Sequence, residues 1–243
     1  MRLGMFMQPV HDPARNLTKV LEDDRETVKL ADQLGYHEVW VGEHTAATSE
    51  PITDPLVFLA TLIGETQNIK LGTGVFCLPH HHPAQIAGQA ALFDHLSKGR
   101  FQMGIGNGSL SSDVELFDVG GGTDRGAMVC ESIEHILGIW AGDPPYDRGG
   151  AFWNVKIANV DRIEYGVGAF IKPYQQPHPP IAISIMSPKS GSARLAGEFG
   201  WIPISEAAFL HPRYTANQFT AKAPRKPTAT QIRIYGGYRA VLS

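Results

Sequence analysis

The chain has 243 residues, of which 43% are hydrophobic and 19% charged, with a formal net charge of −3. This is the composition of a globular protein with one large core, and it excludes a disordered chain or a sequence-wide basic field for nucleic acid. Two cysteines, Cys77 and Cys130, are too few for a disulfide framework and fit no zinc spacing.

The N-terminus, M-R-L-G-M-F-M-Q-P, has no sustained apolar run followed by a cleavage site. No stretch approaches the roughly 20 apolar residues of a membrane span. A reducing cytoplasm is the expected setting.

Leu3–Gln8 reads as a first strand. Leu17–Leu34 reads as a helix, because Leu17, Val20, Leu21, Val28, Ala31 and Leu34 recur at intervals of three and four, and Gly35 is placed to end it. His37–Gly42, centred on Val39-Trp40-Val41, reads as a buried second strand. Pro55 opens a helix whose apolar face runs over Leu56–Thr66. Ile69–Cys77 is the third strand, and its two interior glycines predict a kink or a close approach of another molecule. Leu78–Pro83 is a loop, Pro83–Leu96 a third helix, Ser97–Arg100 a turn and Phe101–Gly106 a fourth strand.

Four alternations of strand and helix joined by short loops predict right-handed βαβ units and a parallel sheet. The rhythm then breaks. Asn107–Thr123 reads as a long loop, Arg125–Trp140 as a helix and Ala141–Arg148 as turns. Phe152–Ile171 alternates weakly, as a hairpin or excursion would, and Pro173–Pro180 holds too many prolines for regular structure. Strand and helix resume with Ile181–Ile185, Pro188–Phe199 and Trp201–Ser205, and Ile232–Leu242 is a candidate seventh strand.

Chemistry collects at the carboxyl ends of strands in such folds. Glu43 and His44 stand directly after the second strand, where a rim histidine can act as a base or donate to an oxyanion. The bland alternative is a surface histidine beside a capping glutamate. His80-His81-His82 includes a His-x-His spacing that can hold a metal, although it falls in a loop between Pro79 and Pro83 with no carboxylate ligands nearby in sequence. Gly104-Ile105-Gly106-Asn107-Gly108 lacks the spacing of a dinucleotide fingerprint. It reads as a close approach by a flat ring, or as a plain glycine turn. Ser184–Ser192 joins a strand to a helix, and its serines, backbone N–H groups and Lys189 make an anion site or a simple N-cap. Arg125 is placed to add a second charge to the same phosphate. Together these features point to a planar, phosphate-bearing cofactor across the mouth of a barrel.

The chain also resembles the bacterial luciferase-like, flavin-dependent monooxygenases, with the limonene and alkanal monooxygenase branch nearest. The matching pieces are W-V-G-E-H at Trp40–His44, L-G-T-G-V at Leu71–Val75 and L-P-H-H-H-P at Leu78–Pro83. G-R-F-Q-M-G-I-G-N-G at Gly99–Gly108 and S-P-K-S-G-S-A-R-L-A at Ser187–Ala196 continue the match in family order.

The resemblance implies an α/β fold of the (β/α)₈ TIM-barrel type. It would be a single domain over residues 1–243, with an excursion at 107–180 between the fourth and fifth strands. Relatives are longer, so the chain is expected to stop before an eighth strand. The resemblance also implies a bulge with a non-prolyl cis peptide at Gly74–Val75. It assigns the catalytic role to His44 and flavin contacts to Gly74, Val75, Asn107, Arg125, Met186, Ser187 and Ser190. Glu43 becomes a hydrogen-bonding support. Asn107 replaces an arginine that luciferase itself places at the phosphate.

The implied activity is oxygen insertion from O₂ into a small organic substrate. The implied partners are reduced FMN, a separate flavin reductase and a second copy of the chain in a homodimer, with no nucleic acid, membrane or metal involved. The alternatives are a truncated barrel that binds flavin without catalysis, a deazaflavin-dependent oxidoreductase that moves hydride, and a metal-dependent hydrolase using His80 and His82.

Overall fold

The computed structural model describes residues 2–186 and 190–205, and the backbone of 236–237. The predicted elements are found in order, with adjusted ends. β1 is Gly4–Met7, α1 Leu17–Gln33, β2 Glu38–Val41, α2 Pro55–Ala60 and β3 Lys70–Thr73. β4 is Phe76–Cys77, α3 Pro83–Leu96 and β5 Phe101–Gly106. α4 is Ser111–Leu116, α5 Arg125–Ala141, β6 Tyr146–Gly149 and β7 Asn154–Ile157. β8 is Ile181–Ser184, α6 Gly191–Phe199, β9 Ile202–Ile204 and β10 Gly236–Gly237.

These elements form two compact units. The first comprises residues 1–76, 100–106 and 180–243. Its sheet runs β10-β1-β2-β3-β5-β8-β9, with every neighbouring pair parallel. The candidate seventh strand lies mostly outside the described residues, but Gly236 and Gly237 pair with Met5 and Phe6.

The register puts Trp40, Gly72, Gly104 and Ala182 on one face of this sheet. Trp40 is fully buried there, in a cluster with Ala182, Ile202 and Ile204, and Phe6 and Val75 pack against it half-buried. A methyl group on Gly72 would run into the Trp40 ring, so glycine is what admits the indole. The opposite face buries Val39, Leu71, Phe101, Met103 and Ile183. There α2 packs on β3, and α6 on β8 and β9.

α1 starts at Asn16, whose side chain accepts from the Lys19 N–H at 3.0 Å, and the chain leaves it through Gly35 at φ +78°. Its buried stripe is Val20, Asp24, Val28 and Ala31.

Two expected elements change here. The third strand breaks after Thr73, where the Gly74–Val75 bond is cis, and resumes as β4. The helix expected through Thr66 stops at Ala60. Thr61, Leu62 and Ile63 then bond to carbonyls three residues back, and the Thr61 and Thr66 hydroxyls donate to Phe58 O and Leu62 O. Threonine side chains compete for the backbone, and the chain tightens into successive turns.

The second unit comprises residues 77–99 and 107–179. α3 packs on α5, and the Trp140 indole N–H donates to Ala87 O at 3.0 Å. The expected long loop at 107–123 contains α4. The expected hairpin begins earlier than 152–171, as the antiparallel pair β6–β7, of which only β7 falls within that range. The proline-rich segment is irregular, as expected, and is tied to α3 by Asp94. That carboxylate accepts from the backbone N–H of Gln175 at 2.8 Å and from its side-chain amide at 2.7 Å.

Each unit uses one carboxylate to gather three consecutive backbone N–H groups. Asp32 accepts from Gln67, Asn68 and Ile69 at 2.7–3.0 Å and fixes the approach to β3. Glu131 accepts from Ala151, Phe152 and Trp153 at 2.7–2.9 Å and fixes the turn between β6 and β7.

Candidate functional site

The carboxyl ends of β2, β3, β5 and β8 are neighbours in the first unit's sheet, and the sequence-predicted residues of that unit follow those ends. His44 comes three residues after β2. Its side chain is about five-sixths buried, with Nε2 3.0 Å from Glu50 Oε2 and 3.3 Å from Gln8 Nε2. A carboxylate only accepts, so the Glu50 contact places a proton on Nε2. The backbone N–H of His44 donates to Ile52 O at 3.1 Å, which closes the loop around the ring. Gln8, Pro9, Gly42, Glu50 and Ile52 line a small cleft with His44. Glu43 is buried.

Glu50 and Gln8 were not singled out from the sequence. Gln8 ends the first expected strand and so falls on the same rim, a signal that was present. Glu50 sits six residues beyond His44 in an irregular loop, where no periodicity marks it.

After β3, the Gly74–Val75 cis bond lies where the resemblance placed it. Thr73 organises this corner. Its hydroxyl donates to Gly104 O at 2.8 Å and accepts from the Gly104 N–H at 2.9 Å, in place of ladder bonds that β3 no longer makes. A methyl group on Gly104 would collide with the Thr73 carbonyl. The close approach read from the two glycine motifs is therefore internal: the Trp40 ring meets Gly72, and the Thr73 carbonyl meets Gly104. The half-buried Val75 and Phe6 rest on the Trp40 cluster and form an apolar patch beside the cis bond.

After β8, Met186 is exposed. Ser187, expected at the phosphate, lies outside the described residues, as do Pro188 and Lys189. The helix expected from Pro188 is described from Gly191. Ser190 caps it, its Oγ accepting from the Ala193 N–H at 3.2 Å. The first N–H groups of α6, with the helix dipole, present a partial positive end.

Asn107 and Arg125 belong to the second unit. Asn107 is exposed directly after β5. Arg125 starts α5, and its Nη1 donates to Gly108 O at 2.8 Å. Gly108 has φ +67°, and a methyl group there would lie 2.8 Å from the His80 ring. His80 stacks on Phe117 with ring centroids 4.6 Å apart.

The His-x-His pair does not converge. His82 Nδ1 accepts from the Ala84 N–H at 3.2 Å and caps α3, with its ring edge-on to Trp153, while His80 faces Phe117. Among the described residues, no group of three His, Cys, Asp or Glu side chains is placed to hold a metal. Among the same residues, no helix is long and apolar enough to cross a membrane.

Comparison with known proteins places this arrangement. The chain is 35% identical over 219 residues to 4-hydroxyprotoasukamycin monooxygenase of Streptomyces nodosus subsp. asukaensis, which is 90% of this chain and 56% of that protein. It is 32% identical over 193 residues to the oxygenase component of a flavin-dependent trigonelline monooxygenase of Acinetobacter baylyi, covering 78% of this chain and 50% of the relative. The chain thus spans about half the length of these curated relatives.

Its fold superposes with a TM-score of 0.83 on the oxygenating constituent of 3,6-diketocamphane monooxygenase of Pseudomonas putida, solved in complex with FMN. That match has 25% identity and covers 96% of this chain and 66% of the other. The fold is the luciferase-like TIM-barrel type that was expected. The sequence profile of the luciferase-like monooxygenases matches residues 1–229, and the chain belongs to that family.

Proposed function

We propose that the protein is an FMN-dependent monooxygenase that places one oxygen atom from O₂ into a small organic substrate. A separate flavin reductase would supply the reduced FMN, and a second copy of the chain would complete a homodimer. One observation carries the reading. The His44–Glu50 pair, Val75 and the α6 N-terminus follow the carboxyl ends of β2, β3 and β8 in one parallel sheet, and Phe6 of β1 rests on the same buried cluster as Val75.

The residues suit the cofactor. An apolar patch backed by a buried indole fits the face of a planar ring and keeps water from beneath it. Gly74 and Val75 would carry that ring. The N-terminus of α6, with Ser190 and Ser187, suits a phosphate. Met186, in the same unit, would add a contact.

Bound reduced FMN would supply the electrons and the reaction with O₂. The chain's own contribution is orientation, exclusion of water and movement of a proton. His44 holds a proton at Nε2 toward Glu50, so the ring is oriented and its charged form has a counter-ion.

His44→Ala tests the assignment. Oxygen consumption linked to substrate should fall by about 10²–10⁴-fold, the usual worth of a positioned acid or base. Affinity for reduced FMN should change by less than about threefold. An equal loss of both would make His44 a binding residue, and no loss of either would remove it from the site.

A further inference from the structure

The β1–α1 and β2–α2 connections have two sides. Gln8, His44, Glu50 and Ile52 face the cleft described above. Other residues of the same segments, among them His11, Arg15, Ala47, Pro51 and Thr53, line a separate cavity of about 640 Å³. That volume lies within the range of small-molecule sites.

His11 and Val20 form the floor and are buried, with His11 8% exposed. Leu17 and Pro51 supply apolar wall, and Thr53 a hydroxyl. Beneath the floor, His11 Nε2 is 3.1 Å from both carboxylate oxygens of Asp24. Asp24 points inward from the buried stripe of α1, in a position its spacing would give to an apolar residue. Burial pushes its carboxyl pKa up, and His11 opposes that.

On the other ring nitrogen, Arg15 Nη1 lies 3.5 Å from His11 Nδ1. A guanidinium only donates, so Nδ1 is an acceptor and the imidazole proton sits on Nε2, toward Asp24. Arg15 has a firmer partner elsewhere, with Nη2 2.8 Å from Asp23 Oδ2. A buried ionisable pair adds little stability over an apolar pair of the same volume, so stability alone does not account for it. The arrangement matches one in which a carboxylate fixes one imidazole nitrogen and turns the other outward as an acceptor.

We propose that this cavity binds a small apolar molecule carrying a hydroxyl group. The ligand's O–H donates to His11 Nδ1 in place of the long Arg15 contact. Its hydrocarbon body lies against Leu17, Val20 and Pro51. No bond is made or broken, and no flavin is required.

The test uses the full chain without flavin and two probes, 2-naphthol and naphthalene, which share a frame and differ by the hydroxyl. Equilibrium dialysis should give one saturable site for 2-naphthol, with affinity about tenfold above that for naphthalene, the worth of one hydrogen bond. His11→Phe should erase that difference. Ala47 also lines the cavity, and Ala47→Trp, which fills it and leaves His11 and Asp24 in place, should abolish 2-naphthol binding without changing affinity for reduced FMN. Ala47→Trp decides the matter if His11→Phe fails to fold. Equal affinity for the two probes, binding that survives Ala47→Trp, or no binding at millimolar 2-naphthol would each overturn the proposal.

Discussion

Thr73 shows how much of a site can rest on one hydroxyl. It spans the N–H and C=O of Gly104 where β3 departs from its neighbour, and it is fully buried. Thr73→Val keeps the shape and leaves both groups of Gly104 without that partner. The expected cost is about 2–3 kcal/mol, read as a fall in the urea midpoint at unchanged slope. Gly72→Ala should cost about 1–3 kcal/mol by pushing a methyl group into the Trp40 ring, in a cluster with no slack. A wild-type midpoint in either variant would contradict these packing roles. His44 was legible in the sequence because strand ends are, and its position needed only the run Val39-Trp40-Val41. Glu50 was not, since a loop carboxylate meets a ring through a path that spacing does not encode. The two strand glycines were legible as a close approach, but the approaching group was the protein's own tryptophan, a pairing that only the register of β2 on β3 reveals.

At the scale of elements, the first unit was readable because α1 carries an apolar period of three and four residues that ends at Gly35, and short apolar runs such as Val39-Trp40-Val41 and Ile181–Ile185 mark its strands. β6 and β7 were not, because Tyr146–Gly149 and Asn154–Ile157 are short and mostly exposed, with little hydrophobic alternation to follow. The two carboxylates that gather backbone N–H groups were also invisible, since their partners lie 20 to 37 residues away. They make a pH prediction. Burial alone would raise the pKa of Asp32, but its three N–H donors outweigh that and hold it below the ordinary 3.8. Its stabilisation is therefore present above the unfolded value and is lost as pH falls through the lower folded value. Asp32→Asn should destabilise the protein near neutral pH, with the gap to wild type closing as pH falls through the lowered folded value. A gap that stays constant with pH would mean that the carboxylate charge is not what holds residues 67–69.

Across the whole molecule, family membership rests on residues 1–229, while the activity remains a proposal about a chain that spans about half the length of its relatives. The parts of the first unit on which the proposal rests are an apolar patch, a helix end and a histidine with its counter-ion. His44, Val75 and Ser190 were expected from motifs at strand ends and follow β2, β3 and β8, whereas Phe6 and Glu50 were not expected. Anaerobic titration with reduced FMN, with reduced deazaflavin in parallel, tests the account at its centre. It predicts saturable one-to-one binding of reduced FMN below tens of micromolar, tighter than the deazaflavin. No binding of reduced FMN at tens of micromolar, or a preference for the deazaflavin, would contradict it.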